Sequence, residues 1–79
     1  MKVKVTRIGA GVHPSEVIVS VDTISGLERL VVHNRSITDN EIDIGYPINR
    51  EQNNFLVELP RETTSGSWRV WVPETAVVE

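Results

Sequence analysis

The chain has 79 residues, no cysteine and a formal net charge of −3. It is therefore expected to form one domain, residues 1–79, without disulfides, thiolate metal sites or a thiol nucleophile. With 39% apolar and 24% charged residues, the composition is that of a folded globular chain rather than a disordered one. No stretch approaches membrane-span length, and the N-terminal Met-Lys-Val-Lys-Val-Thr-Arg lacks the apolar core of a signal peptide, so a cytoplasmic protein with no membrane contact is expected.

Residues 2–8 alternate cleanly, with Val3, Val5 and the stem of Arg7 on one face and Lys2, Lys4 and Thr6 on the other. That is the pattern of a half-buried strand, and its basic residues discourage edge-to-edge aggregation. Residues 9–15 form a loop punctuated by Gly9, Gly11 and Pro14. His13 has no His, Cys or carboxylate partner at ligand spacing, so it points to neither metal nor catalysis. Residues 16–22 predict a strand with Val17, Val19 and Val21 on one face, and Thr23 to Gly26 a tight turn. Residues 27–33 predict the returning strand. Its apolar pattern is broken, which suggests a bulge or a strand covered on both sides.

Residues 34–40 read as a polar connection in which Ile37 is tucked in. The next piece puts Ile42 and Ile44 on one face, with Asp39, Glu41 and Asp43 opposite. Three alternating carboxylates are a possible hard-cation ligand set, but they lack the glycine and bidentate-Glu spacing of a calcium loop. Asn49 to Asn54 reads as a polar loop or a single helical turn capped by Asn49, with Gln52 three residues on.

The last third holds three of the four aromatic residues, Phe55, Trp68 and Trp71, with Tyr46 the exception. Period-2 alternation puts Phe55, Val57 and Leu59 on one face of the first strand. It puts Trp68, Val70 and Val72 on one face of the second. If these strands pair, the two sets form the core face. Glu58 and Arg69 then form an outer-face ion pair, and Trp71 stands outside with Leu56. Either a second sheet or barrel closure covers Trp71, or Trp71 with Leu56 and Arg69 makes an interface hot spot. Ser65-Gly66-Ser67 supplies the turn between the strands. Pro73 ends the second strand, Glu74-Thr75-Ala76 suits one 3₁₀ turn, and Ala76 to Val78 a short closing strand.

The sum is an all-β chain: a small barrel or two-sheet sandwich of short antiparallel strands, with no substantial helix. The tail Trp71-Val72-Pro73-Glu74-Thr75-Ala76-Val77-Val78 resembles the end of SH3-like barrels, where a strand closes in Val-Pro, a 3₁₀ turn follows and a short last strand begins. The order of a first strand, a Gly/Pro loop and a meander of hairpins is similar too. The Ala-Leu-Tyr-Asp-Tyr stretch of signalling SH3 domains is absent, as is their peptide-docking aromatic cluster. The chain also resembles, in length and tail, the type II dihydrofolate reductases, SH3-like chains that form a tetramer around a central pore. Their pore motif Val-Gln-Ile-Tyr is absent, and Arg69-Val70-Trp71-Val72 stands nearest to it.

Three functions follow from these readings. The first is a protein-interaction or self-assembly module, with Trp71, Arg69, Leu56 and Tyr46 as interface candidates. A short chain without staples gains most from oligomerising, so a homo-oligomer or a protein partner is expected. The second is a small oligomeric enzyme with a site shared between subunits. Against it, His13 and His33 lie on different elements, and no phosphate loop or nucleophile elbow is present. No catalytic residue, metal or cofactor is assigned. The third is a weak nucleic-acid-binding barrel. Residues 1–40 carry five basic and four acidic groups, residues 41–79 three and seven, and this acidic balance speaks against nucleic acid.

Overall fold

Alternating β-branched residues and polar turns dictate strands throughout, and the computed structural model, which describes residues 1–79, contains ten. They are β1 (Lys2–Lys4), β2 (Thr6–Ala10), β3 (Glu16–Thr23), β4 (Gly26–His33), β5 (Ile37–Thr38), β6 (Glu41–Asp43), β7 (Asn49–Glu51), β8 (Asn54–Glu58), β9 (Arg69–Pro73) and β10 (Val77–Val78). Two 3₁₀ turns, Asn34–Ser36 and Glu74–Ala76, are the only helical pieces. The strands form three small antiparallel sheets in the orders β10-β1-β6-β5, β2-β3-β4 and β7-β8-β9.

The sheets are joined by the backbone. β1 and β2 follow one another across Val5, whose N–H donates to the Asn40 carbonyl at 2.9 Å. At the tip of the β3–β4 hairpin, the Ile24 N–H donates to the Trp71 carbonyl at 3.0 Å, linking the second sheet to the third. That tip is made by Thr23, whose hydroxyl donates to the Gly26 carbonyl at 2.7 Å and accepts the Ser25 N–H at 3.1 Å. Gly26 has φ +118°, a conformation that strains any residue with a Cβ.

The core is one cluster of 14 buried residues, built mostly on period-2 faces. β3 contributes Val17, Val19 and Val21, and β4 contributes Leu30 and Val32. Val3, Ile42, Val57 and Val72 come from the other two sheets. The closing elements follow the sequence expectation: β9 ends at Pro73, the 3₁₀ turn buries Ala76, and β10 pairs with β1.

Several expectations are corrected. β4 pairs with β3 over eight consecutive registered positions without a bulge. Its broken apolar pattern arises because Leu27 is exposed, while Leu30 and Val32 face the core and Val31 is half-buried on the far side. The irregularity lies instead in β2, where the register shifts between Arg7 and Gly9 around Ile8. Residues 49–54 are neither loop nor helical turn. They form the β7–β8 hairpin, with Gln52 at φ +55° and the Asn49 side chain accepting the Arg50 N–H at 2.8 Å instead of capping a helix. Ile37 is buried as expected, but within strand β5.

Leu30 is fully buried on the central hairpin. Leu30→Ala is expected to lower unfolding free energy by about 2–5 kcal/mol in a urea titration, a loss large enough to populate the unfolded state of so short a chain.

Candidate interaction surface

The third sheet is assembled in the register the sequence implies. Leu56 lies opposite Trp71, Val57 opposite Val70, and Glu58 opposite Arg69. The Arg69 guanidinium donates to a Glu58 carboxylate oxygen at 3.2 Å, and both side chains are more than half exposed. On the other side of the sheet, Arg50 stacks over the Phe55 ring with 5.1 Å to its centroid and reaches Glu74 at 3.6 Å.

Trp71 falls between the two roles open to it. It is half-buried, as is Leu56 opposite. With Ile24, Glu51, Gln52 and Asn54 it lines a small recess of about 140 Å³. The indole therefore wedges between the β3–β4 tip and the β7–β8 turn, with part of its surface left to solvent. Of the four interface candidates, Leu56 and Trp71 adjoin across the strand pair, and Arg69 shares their face but is engaged by Glu58. Tyr46 stands apart on the β6–β7 connection and is 91% exposed.

Trp68 is the main correction on the surface. Alternation assigns it to the core face with Val70 and Val72, yet it is 52% exposed. β9 begins only at Arg69, so Trp68 precedes the regular pleat and is released from its alternation. Its carbonyl accepts the Leu59 N–H at 2.8 Å, closing the base of the connection between β8 and β9. The indole lines an open groove of about 470 Å³ with Val31, Pro60, Arg61, Glu62 and Thr64. The signal that would have found it is the Ser-Gly-Ser stretch immediately before it, which delays the start of the strand.

A second, polar cleft of about 530 Å³ lies among Lys4, Thr6, Ser20, Asp22, Asp39, Glu41 and Thr75. Lys4 spans part of it, its ammonium donating to the Thr75 carbonyl at 3.2 Å. Asp39, Glu41 and Asp43 do not converge on a point. Glu41 stands opposite Lys4 and Asp43 opposite Lys2 in the β1–β6 ladder. His33 Nδ1 accepts the Arg35 N–H at 3.3 Å at the start of the first 3₁₀ turn, while His13 is exposed on the β2–β3 loop. The two histidines thus lie on separate elements. No helix is long and apolar enough to cross a membrane.

No protein-family model, curated protein or solved structure matches the chain.

Because Glu58 and Arg69 are both well solvated, a double-mutant cycle to alanine is expected to give a coupling of at most about 1 kcal/mol at low salt, shrinking toward zero in 1 M NaCl. Trp71→Ala removes a half-buried wedge and is expected to cost about 2 kcal/mol of stability, read from the urea midpoint.

Proposed function

We propose that the chain is an SH3-like barrel that serves as a protein-interaction module, and that its partner is a second copy of itself. The observation that carries this reading is Trp68, an indole 52% exposed in an open groove beside half-buried Val31. A wet tryptophan flanked by Pro60 and by the charges of Arg61 and Glu62 has the composition of an interface centre with a polar rim. The strand ending in Val72-Pro73, the 3₁₀ turn and the two-residue β10 support the SH3-like reading. Self-association is favoured over a foreign partner because a chain of 79 residues without cysteine has little core to spare. Leu56 and Trp71 extend the apolar surface on a separate face, where a further copy would find them half-covered.

The test is solution mass by light scattering across a dilution series, for the natural chain and for Trp68→Ala. The natural chain is expected to grow in mass with concentration. The variant is expected to associate about 30-fold or more weakly, as for a hot-spot tryptophan, and to keep its thermal midpoint within a few degrees. A natural chain that stays monomeric up to millimolar concentration refutes self-association.

A further inference from the structure

The connection between β8 and β9 is folded on itself rather than draped over the barrel. The Leu59 N–H to Trp68 carbonyl bond closes its base at 2.8 Å. Within it, the Thr63 N–H donates to the Ser67 carbonyl at 2.8 Å and the Gly66 N–H to the Thr63 carbonyl at 2.9 Å. The Thr63 hydroxyl accepts the Ser67 N–H at 3.0 Å and shares a hydrogen with Ser65 at 3.1 Å. Such a loop, with closed ends and internal bonds, moves as a unit.

Its ties to the second sheet are few and polar. One backbone bond, Thr64 N–H to the Arg29 carbonyl at 2.8 Å, reaches the outer edge of β4. Arg61 pairs with Glu16 at 3.1 Å, and the Ser65 hydroxyl donates to Glu28. From Pro60 to Ser67 the one buried residue is Thr63. Its hydroxyl is satisfied inside the loop, and no apolar side chain of the loop itself is buried. We propose that residues 60–67 are an acid-released strap over the edge of β4, which opens locally while the barrel stays folded.

Both anchoring carboxylates support a response to acid. Partial burial pushes the Glu16 carboxyl up. The His13 backbone N–H, the Arg61 hydrogen bond and the proximity of the His13 and Arg61 side chains outweigh it and hold the group below the ordinary carboxylate range. Glu16 also stands opposite His33 across the β3–β4 ladder, and Arg7 lines the same recess from β2. Glu28 is held below the ordinary range by the Ser65 hydroxyl first and Thr63 second, against a small opposing effect of burial. Across the ladder it meets Val21, and Arg69, the one charge on β9, is engaged by Glu58. A carboxylate whose folded value is depressed stabilises the tied state above its unfolded value and loses that contribution as pH falls through the folded value. The strap is therefore shut at neutral pH and loosens as both groups protonate. The strap supplies Pro60, Arg61, Glu62 and Thr64 to the Trp68 groove, so its motion is read at a concentration low enough that the chain is monomeric, where the outcome does not depend on self-association.

Native-state hydrogen exchange by NMR on the full chain tests it. At pH 7, the Thr64 amide is expected to be protected at least about tenfold less than those of Val19 and Val21, as for local opening. The double variant Glu16→Gln, Glu28→Gln keeps both side-chain shapes and removes both charges. It is expected to lower Thr64 protection a further three- to tenfold, roughly the loss of two charged contacts at the surface, with Val19 and Val21 unchanged. Equal protection of Thr64 and the β3 amides overturns the proposal, because the strap then opens only with the whole barrel. A variant that lowers all these amides together overturns it equally.

Discussion

The rest of the structure depends on the alternation of β3. Val17, Val19 and Val21 face the core and are buried, while Ile18 and Ser20 face outward. β3 is also the central strand of its sheet, bonded to β2 on one side and β4 on the other. A slip of one residue in the β3–β4 ladder would turn a buried face outward at once, so burial and hydrogen bonding enforce the same register there. The Ile24–Trp71 backbone bond then carries that register to the third sheet, and the Val5–Asn40 bond carries continuity to the first.

This explains which parts of the fold were legible in the residues. Where a strand is regular on both sides of the residue in question, parity suffices. It placed Val3, Val57, Val70 and Val72 in the core and set Glu58 against Arg69. Parity fails where the pleat is interrupted. Trp68 sits one residue before β9 begins, and Arg7, whose stem parity turns inward, sits at the register shift of β2 and is exposed. The exposure of each is decided by where a strand starts or slips, which depends on tertiary hydrogen bonds and not on local sequence. The 49–54 segment failed for another reason. Its polar side chains suit a turn or loop, and only pairing with β8 makes them a strand.

The candidate surface shows the same division. Leu56, Trp71 and Arg69 were found together because they occupy one face of a regular strand pair. Trp68, with the larger accessible aromatic surface, was assigned inside. The two indoles thus exchange roles relative to simple alternation. The one parity puts out is a wedge between two turns, and the one parity puts in lines a groove.

The shift around Ile8 bears on how the chain behaves when crowded. β2 is an edge strand with every residue exposed, the situation in which strands of neighbouring molecules zip together into fibrils. An extra residue bends and twists such a strand and interrupts the even row of donors and acceptors that a foreign strand needs. The irregularity costs the second sheet some pairing along β2 and guards that edge in return. An otherwise benign loss of one residue at this point would straighten the strand and turn a guarded margin into a template for polymerisation.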